Sequence, residues 1–154
     1  GSASLTGASS IDVSDTGTAY VGRFVGGAGT LAMDGGSTLR AGSVAIGGSS
    51  DAVAGGSGSV TLAGAGTELR ATGASGFTSV GRSGVGSLSV TNQAKVAAIA
   101  LTVGRAAGSA GTLTVNTGTV ELAASRPVRR LSVLRSPWAA WAVSARRPSS
   151  TTAW

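Results

Sequence analysis

The sequence lacks both cysteine and histidine. Without cysteine there are no disulfide bonds and no thiolate chemistry, and without histidine there is no imidazole base. The usual zinc sites are excluded as well, because they are built largely from these two residue types. We therefore predict no catalytic residue, no metal site and no cofactor. A cysteine-free chain fits several compartments, so this absence does not localise the protein.

Aromatic and charged residues are also scarce, at 4% and 12% of the 154 residues. So few rings argue against a compact core built on Phe, Tyr and Trp. Yet 42% of the residues are hydrophobic, which is too apolar for an intrinsically disordered composition. No apolar run approaches the ~20 residues of a transmembrane helix. The chain begins with glycine and shows no signal peptide, which indicates a fragment or a processed form.

Glycine is abundant, with 26 residues, and all of them lie before residue 125. All three prolines and all three tryptophans lie after it. Residues 1–124 hold as many acidic as basic side chains, so the net charge of +6 belongs to the tail. The tail's basic residues are Arg126, Arg129, Arg130, Arg135, Arg146 and Arg147. This boundary divides the chain into a repeat region, 1–124, and a basic, poorly ordered tail, 125–154.

The repeat region copies one unit, which is clearest from Val80 to Gly104. Each copy opens on Val-Gly or Ile-Gly and contains a strand of the form Gly-x-Leu-x-Val. The four such strands are GTLAM (Gly29–Met33), GSVTL (Gly58–Leu62), GSLSV (Gly86–Val90) and GTLTV (Gly111–Val115). Residues 1–22 resemble the end of an earlier copy. Because the motif is constant while its spacing varies, the insertions must fall in turns.

Within each copy, large aliphatic residues alternate with small or hydroxyl residues, which is the pattern of β-strands. The first strand carries Leu31/Met33, Val60/Leu62, Leu88/Val90 and Leu113/Val115; the second centres on Leu39, Leu69, Val96 and Val120; the third ends at Val21, Ile46, Val80 and Val103. One copy cannot bury its own aliphatic row, so copies must stack. We predict an all-β protein, a parallel β-helix (β-solenoid) of about five short coils followed by an irregular C-terminal tail.

The GTLTV–turn–apolar–turn–LxVG pattern, over about residues 1–122, resembles the Gly/Ser/Thr-rich repeats in passenger regions of bacterial autotransporters, the type V secreted proteins. The resemblance covers the stalk portion only. It implies a right-handed parallel β-helix at the cell surface of a Gram-negative bacterium, or secreted from it. It also implies host or matrix surface polymers as partners, and it transfers no site residue to this chain.

We therefore predict a non-enzymatic, surface-displayed stalk or adhesin passenger. Open solenoid edges further predict end-to-end self-association. One alternative is a polysaccharide-acting β-helix enzyme, which requires clustered acids and bases in a groove. Another is an ice- or surface-binding solenoid, which requires a flat and regular threonine face. Thr30, Thr61 and Thr112 are predicted to point outward, whereas Ser87, Ser89 and the irregular spacing of the copies argue against this last alternative.

Arginine recurs at two positions of the repeat. Arg23, Arg82 and Arg105 directly follow Val-Gly, and Arg40 and Arg70 share a Leu-Arg-Ala position. Stacking would align them into two rows able to bind acidic glycans or phosphates. Alternatively, they are solvated turn residues that block edge pairing and keep the rod soluble.

The acidic residues of the repeat region match no motif; they are Asp12, Asp15, Asp34, Asp51, Glu68 and Glu121. The segment GGSSDAVAGG around Asp51 lacks the nonapeptide pattern of calcium-binding β-rolls, which argues against calcium. No motif suggests the paired carboxylates of a glycosidase or a phosphate-binding glycine loop. Asn92 and Asn116 lie beside strand ends, where we predict a stacked amide row.

The tail, SRPVRRLSVLRSPWAAWAVSARRPSSTTAW, supports two interpretations. As protein, its arginines and tryptophans suit nucleic acid or an anionic membrane, a partner class that the rest of the chain does not favour. Alternatively, it is solenoid sequence read out of frame. Since Trp is encoded by TGG and Ala codons begin with GC, a shifted frame turns each Trp-Ala into glycine, and Pro137–Ala142 then matches the spacing of Val80–Gly86. Either way, we expect poor packing after about Leu122 and an uncapped last coil.

Overall fold

The computed structural model of the chain describes residues 1–123 and 128–131. All regular structure in these two ranges is β-strand, without a helix, which confirms the all-β prediction. Three strands make one coil, and successive strands join three sheets in turn. The stack has about four turns, slightly fewer than the five expected.

The strands are grouped by sheet as follows. Sheet A contains β1 (Ser2–Leu5), β4 (Ala28–Met33), β7 (Ser57–Ala63), β10 (Val85–Thr91) and β13 (Ala110–Asn116). Sheet B contains β2 (Ser10–Asp12), β5 (Thr38–Ala41), β8 (Glu68–Ala71), β11 (Lys95–Ala98) and β14 (Thr119–Ala123). Sheet C contains β3 (Thr18–Val21), β6 (Ser43–Ile46), β9 (Phe77–Val80) and β12 (Ala100–Val103). A final strand, β15 (Val128–Leu131), joins the edge of sheet B.

Equivalent residues lie in register from coil to coil, as predicted. One column of sheet A runs through Leu31, Val60, Leu88 and Leu113. The column of sheet B runs through Leu39, Leu69, Val96 and Val120. The column of sheet C runs through Val21, Ile46, Val80 and Val103. The fold is therefore a parallel β-solenoid.

The first 22 residues contribute more than the end of a coil. They supply a strand to each of the three sheets. Leu5 lies opposite Met33 in sheet A, and Ile11 lies opposite Leu39 in sheet B. Residues 1–22 thus form a coil of their own, whose repeat motif is too degenerate to recognise in the sequence.

The interior of the prism is filled by the aliphatic columns. Leu62, Leu69 and Val80 are completely buried, because each is covered by a coil on either side. Burying such a side chain contributes roughly 1.5–3 kcal/mol. At the C-terminal end of the stack, Leu101 and Leu113 are only partly buried. Stability is therefore greatest in the middle of the stack.

The corner glycines of the Val/Ile-Gly motif have a steric reason. Gly47 and Gly81 have φ values of 71° and 70°, which L-residues seldom adopt. A Cβ atom on Gly81 would lie 2.1 Å from the carbonyl oxygen of Ala110 in the next coil. The unequal copy lengths are absorbed between strands, as in residues 47–56 between β6 and β7. Insertions consequently leave the register of the sheets intact.

The strand β15 was not predicted from the sequence. It pairs antiparallel with β14, and Val120 lies opposite Leu131. It covers the edge of sheet B, so the expectation of an uncapped last coil is wrong for this sheet. Residues 124–127 and 132–154 lie outside the described residues. The two interpretations of the tail concern mainly this part of the chain.

The buried columns predict a sharp contrast within β7. Replacing Leu62, which is fully buried, by alanine should lower the free energy of unfolding by about 2–5 kcal/mol, because it leaves a cavity between coils. The matched change Thr61→Ala, at an exposed position one residue away, should alter it by less than about 0.5 kcal/mol. Chemical denaturation followed by circular dichroism measures both. Equal effects would contradict the register described here.

A second contrast separates steric packing from backbone strain. Gly81→Ala and Gly108→Ala both place a side chain at positive φ, but only Gly81 has a neighbouring coil in the path of the new Cβ atom. We expect Gly108→Ala to cost about 1 kcal/mol. Gly81→Ala should cost at least about 2 kcal/mol more, since two backbones would have to separate. Thermal unfolding of both variants measures the difference, and similar melting temperatures would disprove the close approach.

Candidate binding surfaces

The outer face of sheet A presents hydroxyl groups and no charged side chain along its described strands. One column contains Ser2, Thr30, Ser59, Ser87 and Thr112, and the other contains Ser4, Ala32, Thr61, Ser89 and Thr114. The three predicted outward threonines are all exposed, but Thr61 belongs to the second column. The irregular spacing of the copies does not disturb either column, because the inserted residues lie in turns.

The predicted row of Arg40 and Arg70 exists on sheet B, where the two residues pair in register. Both guanidinium groups have acidic partners. Arg40 lies 2.9 Å from Asp15 and 3.6 Å from Asp12, and Arg70 lies 3.6 Å from Glu68. The arginine side chains are about half exposed, so each pair contributes little, ~0–1 kcal/mol. This row is neutralised by the protein's own carboxylates.

The next coils continue the charge alternation on sheet B. Lys95 Nζ lies 2.9 Å from Glu121 and 3.4 Å from Glu68. The hydrogen bond with Glu121 raises the pKa of Lys95, which the charges of both glutamates also favour, although partial desolvation opposes it. Because the lysine pKa is raised, this contribution to stability is present at neutral pH and is lost only as the pH rises through that raised pKa. These ion pairs join neighbouring strands of sheet B and stabilise their register; they leave little free charge for a ligand.

Sheet C has a different outer face, which we call the sheet C face. Its outward column contains Tyr20, Ala45, Ser79 and Thr102. Ala45 and Ser79, in the middle of this column, are completely buried, so the face is open to solvent mainly at its ends. Alternation along β9 places Phe77 on the same side as Ser79. The guanidinium of Arg82 lies 4.8 Å from the centre of the Phe77 ring. Arg82 therefore folds back from the Val-Gly-Arg corner across this face.

Asp51 neutralises two members of the second predicted arginine row. It lies in the loop between β6 and β7, and its two carboxylate oxygens separately accept hydrogen bonds from Arg82 Nε at 3.2 Å and Arg105 Nε at 2.8 Å. Desolvation alone would raise the pKa of Asp51, but the hydrogen bond from Arg82 and the charges of both arginines outweigh it and lower the pKa. One acidic side chain thus holds two coils together.

Arg23, the third member of that row, is not neutralised. Within residues 1–123 it is the one basic side chain that makes no ion pair. Its guanidinium instead lies 4.5 Å from the centre of the Tyr20 ring and 4.8 Å from that of Phe24. Both rings are exposed, Phe24 by 63% and Tyr20 by 37%. An accessible cation is thus flanked by two aromatic surfaces.

The corner beside this cluster is unusually apolar. Val25, Val53 and Val85 are each more than half exposed. Backbone hydrogen bonds connect their coils at this corner, from Ser57 N to Gly27 O at 2.9 Å and from Val85 N to Gly56 O at 3.0 Å. The sheet C face therefore continues into a hydrophobic edge along the rod.

No metal-binding cluster of three or more acidic residues occurs in the described part of the chain. An open depression of about 270 Å³ lies at the ends of β8 and β11. Its lining is Arg70, Ala71, Thr72, Ala97, Ala98, Ile99 and Ala123, which includes no carboxylate. This depression offers no acid–base pair for glycoside cleavage. None of the described segments is a helix long and apolar enough to cross a membrane.

The predicted row of Asn92 and Asn116 is joined by a hydrogen bond between their main chains. Asn92 N donates to Asn116 O at 3.2 Å, where two turns stack. Asn92 has a φ of 52°, in the left-handed region that asparagine tolerates better than most residues. A side chain does take part, because Thr117 Oγ1 also accepts from Asn92 N at 3.1 Å.

Sequence reasoning missed the partners of the arginines. It did not connect Asp51 with Arg82 or Arg105, because the contact depends on how a long loop folds over sheet C. It also overlooked Tyr20, Phe24 and Phe77. A signal was present, since these are the only aromatic residues before the tail and all lie close to a Val-Gly-Arg corner.

Comparison of the chain with protein-family models, with curated proteins and with solved structures gives no match.

The Asp51 bridge predicts a pH-dependent contribution to stability. Because the folded-state pKa of Asp51 is lowered, the contribution is present above its ordinary pKa and disappears as the pH falls through the lowered value. Asp51→Asn should be less stable than the wild type at neutral pH, and the gap should close on acidification below about pH 4. Urea unfolding at several pH values measures this gap.

Asp34→Asn is the matched control, since Asp34 makes no ion pair within the described residues. It should show no comparable gap that closes with acid. A gap of the same size and pH dependence for both variants would show that the Asp51 bridge is not its source.

Proposed function

We propose that this chain is a non-enzymatic β-solenoid displayed on a bacterial surface, as the stalk or adhesive passenger of an autotransporter-like protein. The observation that carries the proposal is the uninterrupted parallel stack with exposed, chemically distinct faces. Each coil lengthens the rod and requires specific residues only in its aliphatic columns and at its corner glycines. Such a rod is suited to holding a binding surface away from a membrane.

The distribution of charge supports a structural rather than a catalytic role. On sheet B, basic and acidic side chains pair across neighbouring coils, as Arg40 does with Asp15. On sheet C, Asp51 joins Arg82 to Arg105. Catalytic pairs of carboxylates instead occupy environments that push their two pKa values apart. The observed pairs hold the coils together.

The two alternatives receive less support. A polysaccharide-acting enzyme requires acids in a groove, and the depression beside Arg70 is lined without them. An ice- or surface-binding solenoid gains from the regular hydroxyl columns of sheet A. However, Ala32 interrupts one column, and serine replaces threonine at Ser59 and Ser87 in the other. The outer face of sheet A thus mixes serine, threonine and alanine, whereas matching an ice lattice requires a uniform row of one residue type.

Surface display can be tested in the bacterium that encodes the chain. Antibodies raised against the purified protein should label intact cells as strongly as permeabilised cells, because a displayed rod is accessible from outside. Fluorescence per cell is the measurement, and an antibody against a cytoplasmic protein is the control, which should label only permeabilised cells. Labelling that requires permeabilisation would show that the chain is not displayed.

A further inference from the structure

We propose that the sheet C face binds an acidic polysaccharide at the cluster of Tyr20, Arg23 and Phe24. In this site, the Arg23 guanidinium pairs with a carboxylate of the sugar, and the two aromatic rings stack against the apolar faces of pyranose rings. The inference deepens the adhesive role proposed above and rests on it for its biological setting. The binding itself depends only on the geometry of this face.

The first support is charge. The described part of the sheet C face carries Arg23, Arg82 and Arg105 against a single acid, Asp51. Asp51 engages Arg82 and Arg105 with its two oxygens, at 3.2 and 2.8 Å, and leaves Arg23 without a carboxylate. A guanidinium held over aromatic rings keeps its charge and its in-plane N–H donors. Those donors suit a carboxylate, which they can meet in a bidentate arrangement.

The second support is the pair of exposed rings. Phe24 is 63% exposed and Tyr20 is 37% exposed, although burial of such rings is the usual state in a folded protein. They flank the cation at 4.8 and 4.5 Å from their centres. A ligand that satisfies all three groups must combine a negative charge with flat apolar surfaces. A uronic-acid polymer has both in each repeating unit.

Nucleic acid satisfies the site less well. Its affinity depends on many phosphate contacts, each made by a basic side chain. Within the described residues this face offers one cation that is not already neutralised. The exposed side chain of Val25, which directly follows Phe24, also suits the C–H surface of a sugar better than a phosphate backbone.

Asp51 sets the extent of the site along the rod. It holds Arg82 and Arg105 in ion pairs, so an acidic chain meets a single free cation at the first coil. Replacing Asp51 by asparagine would release both arginines toward the ligand, in register with the same Val-Gly-Arg corner. The structure therefore assigns opposite effects to two substitutions on one face: loss of binding for Arg23→Ala and gain for Asp51→Asn.

The chain provides its own reporter, because Tyr20 is its single tyrosine. In an NMR titration of the full chain with a galacturonate tetramer, the Tyr20 ring resonances should shift saturably. A neutral glucose tetramer of equal length should shift them much less. Arg23→Ala should weaken affinity for the acidic tetramer about tenfold, from the loss of a charge-assisted hydrogen-bonded pair. Asp51→Asn should strengthen it severalfold.

Arg70→Ala is the matched control, since it removes the same charge from the opposite sheet B and leaves the basic tail unchanged. It should leave the affinity within about twofold, as expected for a distant surface charge. Equal losses for Arg23→Ala and Arg70→Ala, or an unmoved Tyr20 ring, would overturn the site. Stronger Tyr20 shifts with an oligothymidylate of similar charge would favour nucleic acid over sugar and also overturn it.

The titration and the labelling of intact cells fail independently. Absence of binding with positive surface labelling would remove the polysaccharide site and leave the displayed rod in place. Binding without surface labelling would remove the displayed rod and leave the site.

Discussion

The structure depends on the vertical registration of aliphatic residues between coils. A three-strand coil has no interior of its own, and its leucine and valine side chains become buried only when another coil covers them. Parallel pairing then fixes both the backbone hydrogen bonds and the aliphatic columns. A slip of one residue would turn every buried side chain outward. This constraint explains why the hydrophobic pattern is so constant while the turns vary.

The same constraint determines where functional groups can lie. The interior is closed by residues such as Leu62 and Leu69, so binding chemistry is confined to the three outer faces and the corners. Each face has acquired a separate character: hydroxyl groups on sheet A, paired charges on sheet B, and arginine with aromatic rings on sheet C. Because outward positions contribute little to the columns, they can differ between coils without loss of the fold.

Stacking also creates an electrostatic problem, since a repeated arginine places like charges about 4.8 Å apart along the rod. The chain resolves this differently on two faces. On sheet B, acidic residues occupy neighbouring outward positions, as Glu68 does beside Lys95. On sheet C, the acid comes from an inserted loop, in which Asp51 reaches Arg82 and Arg105. The inserted loop thus adds ion pairs to arginines of two successive coils.

The sequence by itself determined the fold class, the strand positions and the column in which Leu31 pairs with Val60 and Val60 with Leu88. These follow from local periodicity and from repetition, which are both written along the chain. It did not reveal the coil formed by residues 1–22, whose motif is degenerate, or the antiparallel β15. Nor did it show which arginines are neutralised. Tertiary structure decided that, because Asp51 meets Arg105 only when a loop folds across two coils, and no carboxylate of the described residues comes within ion-pair distance of Arg23.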